Sequence, residues 1–534
     1  MKNTKTQVLI ITTLCVLLFS GCNDTFLDEE PKDALFVDNL YATKSGFDQG
    51  INAIYALIRS ERTDRANTSV EASYLWKAGT DTAWGNYTFS RLRSFDIYGV
   101  NLDPTNGPLT SMFNLLYDIV NSSNLIISRA ERSNIDWEGA NETENEYNKN
   151  LVIAHARLFR AWAYRHLTNS WGDVPLSIEE IDGSTFKTAW PREDVAIIRQ
   201  QMESDLLFAE EHLADNYNNP LVLSKVVAQH LLAELYLTME DPAKAEVKAE
   251  AAISNPNFKL VTSRFGVEAG EGGTPFTDIF LEGNALPSNG NTETLWAFLN
   301  TLDVPGEEEI TMRRTWKNRY YNITKDDDWA FSQYGGRGIG RLAHTIYVED
   351  LYEDMDDRYS EYAFDKFYLL EEGGDTVYTR VPTFVNWSAS DRYWPSTKKW
   401  DGFADLERVN STGSHANMVY MRLAETYLLL AEAEMKLNKN DEAATHINAL
   451  RTRSNAKPIT ASDVNVDLIL DERARELISE EYRRYTLNRF GILVSRAQQF
   501  NKFTQITDRD ILFPLPQDFI DSNEVPIQQN PGWE

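Results

Sequence analysis

The stretch from Arg422 to Gly491 leaves this chain the least conformational freedom. Tyr427, Leu430 and Ala431, then Ala443, Ile447 and Leu450, recur at intervals of three and four residues, so each set lies on one face of a helix. Small residues alternate with large ones across the two sets, which predicts two helices packed face to face. A charged segment follows, from Ile469 through Leu477 and on through Glu480-Glu481-Tyr482-Arg483-Arg484-Tyr485 to Gly491, and its spacing predicts one continuing helix. Its Arg and Glu residues fit ion pairs within and between helices better than an anion site. The stretch reads as scaffold, and the expected fold class is mostly α.

Helical spacing recurs earlier in the chain. Phe47, Ile51, Ile54, Tyr55 and Ile58 predict a helix over 43–59 with Thr43 or Ser45 as cap, and further helices are expected over 108–132, 147–169 and 193–213, the last opened by Pro191. The helix over 147–169 stops at a Gly-then-Pro terminator, Gly172 to Pro175. Residues 226–238 and 243–254 then form a pair of tetratricopeptide character, with Leu232, Ala233 and Tyr236 facing Ala245, Ala249 and Ala252. The same template fits 427–450, with Glu434 where an aromatic is expected, so two similar units stand far apart in sequence. Between them, residues 257–415 lack long apolar periodicity, are rich in Gly and Asp, and show brief strand-like runs at 294–298 and 375–378. The fold expected is a tetratricopeptide-like helical-repeat scaffold with a large irregular, loop-rich insertion carrying short strands.

The N-terminus bears on compartment. Lys2 and Lys5 precede an apolar run from Val8 to Phe19, the length of a signal-peptide core, and Ser20-Gly21-Cys22 follows as a cleavage point. Cys22 has the place of a bacterial lipoprotein's acylated cysteine, with Phe19 where Leu is usual; an ordinary secretory signal with an incidental Cys22 is the alternative. Removal of residues 1–21 takes away Cys15 with the two lysines and moves the net charge from −29 to −31. With Cys22 its only cysteine, the mature chain has no internal disulfide and holds its fold by packing. Such an acidic chain is not a nucleic-acid binder, because phosphate contacts need concentrated Lys and Arg.

Blocks spread over nearly the whole mature chain resemble the SusD/RagB family of outer-membrane lipoproteins of Bacteroidetes. They are Cys22 with Phe26-Leu27-Asp28 and Pro31, then Arg160-Ala161-Trp162-Ala163-Tyr164 with Gly172-Asp173-Val174-Pro175-Leu176. Towards the C-terminus come Met421-Arg422-Leu423-Ala424-Glu425, Leu429 to Ala433, Ile447 to Arg453, Glu472-Arg473-Ala474-Arg475-Glu476, Phe513-Pro514-Leu515-Pro516 and Gln529-Asn530-Pro531-Gly532-Trp533. The resemblance implies a non-enzymatic, surface-exposed lipoprotein of the cell outer membrane. It would hold an oligosaccharide, or in some members a peptide, as the lid-like partner of a SusC-like TonB-dependent transporter. It divides the chain into a signal peptide (1–21), a lipidated tether (22–40) and a single domain (41–534), with the scaffold at 41–256 and 416–500 and a ligand-binding insertion at 257–415.

Sugars suit aromatic faces, because the axial C–H groups of a pyranose form an apolar plane while Asp, Asn and Arg satisfy its hydroxyls. The insertion holds Trp296, Trp316, Trp329, Trp387, Trp394 and Trp400, six of the thirteen tryptophans, and the Gly-rich loop region 66–108 holds Trp76 and Trp84. A glycan-binding site is therefore expected from Trp76, Trp84, Asn86 and Tyr87 on the loop and Arg314, Trp316, Tyr320 and Trp329 on the insertion, while Trp162, Trp171 and Trp296 are assigned to packing. For any single tryptophan of the site, filling the core is the competing reading. The seven histidines show no His-Glu-x-x-His spacing, no nucleophile elbow is present, and no catalytic residue, metal or cofactor is expected. Asp326-Asp327-Asp328 and Asp354-Met355-Asp356-Asp357 read as solvated loop acids, since neither has the glycine and terminal glutamate of an EF-hand loop. The competing class is a non-catalytic assembly adaptor that binds another polypeptide in its groove.

Overall fold

A computed structural model describes residues 40–64, 71–85, 93–99, 102–181, 185, 187–215, 222–301, 304, 309–322, 327–369, 376–378, 394–402, 409–411 and 413–534. The expected signal peptide, Cys22, nearly all of the tether, and Asn86, Tyr87 and Trp387 lie outside these residues. No helix among the described residues is long and apolar enough to cross a membrane.

The molecule is built mostly of helices, as its periodicity predicts. Helix α1 (Lys44–Arg59) begins at Thr43, whose side chain accepts the Gly46 N–H, and buries Phe47, Ile51, Ile54 and Ile58. Among the longer helices that follow, α2 (Gly107–Ala130), α3 (Glu142–Trp171), α4 (Val195–His212), α5 (Lys225–Thr238) and α6 (Pro242–Ile253) each pack on the one before. Pro191 does not open α4: the cap is Asp194, which accepts the Ala196 N–H, while Val195 N–H donates to Asp173 at 3.0 Å. A capping carboxylate satisfies a free amide that proline only omits.

The chain then leaves the scaffold and returns as α7 (Leu423–Lys436), α8 (Asn440–Arg453) and α9 (Val466–Leu477). Helix α7 packs on α6, so the two tetratricopeptide-like pairs, far apart in sequence, are neighbours in space. Ala431 of α7 meets Ala443 and Ile447 of α8, and Leu428 meets Leu450, as the small and large residues require. Glu434 is buried and bonds His446 Nδ1 at 2.8 Å, so a carboxylate and imidazole pair stands where an aromatic is usual. The charged segment is not one helix: α9 ends at Leu477, Ile478 is extended, Ser479 is left-handed (φ 67°), and α10 (Arg483–Arg489) starts afresh before α11 (Leu493–Phe500). The break frees the carbonyls of Glu476 and Ile478, which accept hydrogen bonds from Lys399 at 2.8 and 3.3 Å.

Two short ladders tie the irregular segments down. Strand β1 (Ala83–Gly85) of the N-terminal loop pairs antiparallel with β3 (Leu342–His344) of the insertion, Ala83 opposite His344. Strand β2 (Thr294–Phe298), at the sequence position expected, pairs antiparallel with β4 (Met418–Arg422), Thr294 opposite Arg422, so the insertion is tied to the strand that leads into α7. Gly172 turns the end of α3 with φ 72°, and a Cβ there would lie 2.9 Å from the Leu512 side chain. The turn meets the C-terminal blocks: Trp171 Nε1 donates to Pro514 O at 3.0 Å, and the Asn530 amide donates to Trp171 O and Phe513 O.

Buried charge clamps the insertion to the scaffold. Arg422 at the end of β4 reaches Glu293 at 2.8 Å, Glu476 at 2.6 Å and Glu480 at 2.7 Å, and Arg453 reaches Glu293 at 2.9 Å and Glu476 at 2.5 Å. Arg358, within the insertion, bonds Asp356 at 2.7 Å, Glu472 at 2.7 Å and Glu476 at 3.1 Å. Burial alone would raise the Glu476 carboxyl, but the guanidiniums of Arg453, Arg422 and Arg358 outweigh it and hold the group far below the usual carboxylate range. Asp356, read from sequence as a solvated acid, is instead buried and committed to Arg358, because a charge removed from water must find its partner inside.

Candidate ligand-binding face

The N-terminal loop and the insertion meet, and two of the aromatic residues expected to bind sugar, Trp84 and Trp316, help to join them. Thr311 N–H donates to Arg62 O at 2.9 Å and Glu71 N–H to Thr315 Oγ1 at 3.3 Å. Trp316 is 3 % exposed, and its indole N–H donates to Glu71 Oε1 at 3.2 Å. Trp84 is 1 % exposed; it donates to His344 O at 3.1 Å and packs against Trp394 and Phe503. Trp76 is wholly buried, stacked on His166 with centroids 4.4 Å apart, and donates to Ser170 Oγ at 2.8 Å. Burial, with Arg165 and Arg62 close by, keeps His166 neutral at that contact. Tyr320 is also buried, stacked on Tyr368 at 5.2 Å, its hydroxyl donating to Gly336 O at 2.6 Å.

These four rings offer no open face in this structure. Each buries a large apolar area and finds an internal partner for its polar tip, which is the more stable arrangement for an aromatic carrying one N–H or O–H. Trp162, Trp171 and Trp296, assigned to packing, are buried as well.

Trp329 and Arg314 remain half-buried at the surface. Trp329 and Tyr321 pack on one aromatic cluster, formed by Tyr320, Phe331, Tyr334 and Tyr368. The Arg337 guanidinium lies 5.5 Å above the Tyr321 ring and donates to Asn410 Oδ1 at 3.2 Å. Arg314, on the short helix Met312–Trp316, is partly desolvated, which lowers its pKa, with Asp64 of the N-terminal loop opposing that shift and Arg337 adding to it. Tyr321 thus lies beside the Arg337 and Arg314 guanidiniums while Trp329 packs on the same aromatic cluster, so this part of the insertion offers half-buried rings to stack an apolar plane and donors to bond polar groups. Tyr321, Arg337 and Asn410 were not singled out in the sequence. The Tyr320-Tyr321 doublet was the one available signal, since a doublet in a loop turns its two rings to different environments.

Other chemistry finds little here. Among the described residues, Glu246, Glu250 and Glu434 are the carboxylates close enough to share a cation, but Glu246 is paired with Lys439 and Glu434 with His446.

Comparison with known proteins fits this architecture. A sequence model of the "SusD family" matches residues 311–533, and a second, described as "Starch-binding associating with outer membrane", matches residues 25–237. SusD-like protein P2 of Formosa agariphila is 25% identical, the match covering 98% of this chain and 99% of the relative. A SusD-like protein of Bacteroides ovatus is also 25% identical, over 90% of this chain and 82% of the relative. A laminarin-binding SusD-like protein superposes with a TM-score of 0.70 at 20% identity, covering 92% of this chain and all of the other. NanU of B. fragilis does so with a TM-score of 0.70 at 19% identity, covering 94% of this chain and 99% of the other. With both ends of the chain matched and the helical scaffold shared throughout, the protein belongs to the SusD family.

Proposed function

We propose that this protein captures oligosaccharide at the outer membrane surface and passes it to a SusC-like TonB-dependent transporter, without catalysing a reaction. The observation that carries this reading is that Trp329 and Tyr321 stand half-buried on one aromatic cluster, with Arg337 over the Tyr321 ring and Arg314 close by beside the N-terminal loop. Rings held flat by a packed cluster bind a sugar plane at little entropic cost, and fixed guanidiniums select among hydroxyls. The reading is supported by the family's description as starch-binding and outer-membrane-associated, and by a structural neighbour that binds laminarin. In the same proposal residues 1–21 direct export, Cys22 carries the lipid, 22–40 is the tether, and 257–415 is the ligand-binding part of a single domain.

Isothermal titration of the mature protein with a glycan panel tests the site. Trp329→Ala and Arg337→Ala should each weaken binding about tenfold or more with the fold intact. Unchanged affinity in both removes this face from consideration. Pull-down of the transporter with and without glycan separates ligand capture from a pure adaptor role, and a peptide that competes for the face would favour the peptide-binding alternative.

A further inference from the structure

A second concave site lies on the helical scaffold, lined by α2, the turn after α3, and the C-terminal segment. It is a groove of about 510 Å³, within the roughly 300–1,000 Å³ typical of small-molecule pockets. Phe113, Tyr117, Trp190 and Phe519 form its apolar part, with Phe113 centred 4.9 Å from Tyr117 and 5.4 Å from Phe519. The rings are fixed in place. Tyr117 donates its hydroxyl to Pro175 O at 2.8 Å, Trp190 Nε1 donates to Lys187 O at 3.0 Å, and Asn523 bonds both the N–H and the carbonyl of Trp190.

The rim is polar. Asn114, Asp118 and Asn121 stand at helical spacing along one exposed face of α2, and Asp518 lines the groove from the C-terminal side. Amide side chains both donate and accept, and ionised carboxylates accept, so together they match the hydroxyl groups around a sugar ring. Two carboxylates on the rim disfavour an anionic ligand by like-charge repulsion, and the Lys187 ammonium 5.3 Å over the Trp190 ring is itself paired with Glu179 at 3.2 Å.

We infer that this groove is a second saccharide site, selective for an uncharged oligosaccharide segment and separate from the Trp329 face. It rests on the glycan-capture reading and extends it: one chain would hold a glycan at two places, and occupancy of both would raise the apparent affinity for a long polymer without any new contact.

The test is isothermal titration of the full mature protein with laminarihexaose, maltohexaose, xylohexaose and mannohexaose. The panel is run against wild type, Trp190→Ala, the double variant Asn114→Ala/Asn121→Ala, and Trp329→Ala. The two asparagines are exposed, so their removal leaves the fold alone. At least one hexasaccharide should titrate at two sites per chain, with the groove variants losing one site, or weakening it about tenfold or more, and Trp329→Ala affecting the other. A single site that both groove variants leave unchanged but Trp329→Ala weakens overturns the second site and leaves capture standing. No binding of any hexasaccharide overturns both.

Discussion

Replacing Arg358 with methionine should detach the insertion from the scaffold locally, and the size of the effect can be worked from its partners. The guanidinium is fully buried and bonds three carboxylates, Asp356, Glu472 and Glu476. Without it Glu472 keeps Arg451 and Arg475, each at 2.8 Å, and Glu476 keeps Arg422 and Arg453. Asp356 keeps only backbone contact, the N–H of residue 358 at 3.0 Å. One buried carboxylate is thus orphaned, and breaking a buried pair from one side costs about 3–5 kcal/mol. At 1.4 kcal/mol per decade, local opening should become roughly 100- to 4,000-fold more frequent, up to the limit set by global unfolding. Hydrogen exchange followed by mass spectrometry reads this directly. Peptides from 346–365 should exchange at least 100-fold faster, while those from 225–253, in α5 and α6, keep their wild-type protection. Adding Asp356→Asn should recover part of the loss, because the orphaned charge is then gone. Exchange of 346–365 within about threefold of wild type in Arg358→Met would refute the clamp.

Three further outcomes follow from burial and charge. Trp84→Ala should destabilise by about 3–5 kcal/mol, as emptying a packed aromatic site does, and lower the melting temperature, whereas the half-buried Trp329→Ala should leave it nearly unchanged; calorimetry distinguishes the two. Burial would raise the Glu481 carboxyl, but Arg473, Arg483 and the Thr486 hydroxyl overcome this and hold it at about 2, against an ordinary 4.5. The folded state therefore binds its proton less readily than the unfolded, so stability present above pH 4.5 should be lost as pH falls towards 2, and Glu481→Gln should flatten that limb of a urea-denaturation series. Asp96 is the converse: burial raises it from 3.8 to about 7, against the Gly85 N–H and Asn501, so its ionisation makes stability decline as pH rises from 3.8 to 7. Asp96→Asn should remove that decline in the same series.

The helical part of this fold was readable because it repeats a local rule. Leu430, Ala431, Ile447 and Leu450 announce their partners through spacing alone, and Gly172 with Pro175 announces the end of α3. The contact between α6 and α7 was not readable, since nothing local records that the 169 residues between Ile253 and Leu423 bring two similar helix pairs side by side. Nor was the break after Leu477, whose freed carbonyls accept from the remote Lys399 and Arg422. The proposed binding face was harder still. Tryptophans in loops look alike in sequence whether they cover a core or face solvent, and Trp84, Trp316 and Tyr320 were buried by acceptors at His344, Glu71 and Gly336, all distant in the chain or in a separate turn.

Glycan capture without turnover is the central claim, and affinity electrophoresis of the mature protein tests it most directly. The protein is run through native gels containing individual neutral polysaccharides, and each polysaccharide that binds is then incubated with the protein and assayed for new reducing ends. Retardation in at least one gel, diminished in Trp329→Ala, with no new reducing ends, is the result expected. Unretarded migration in every gel, or release of reducing ends by the purified protein, would contradict it.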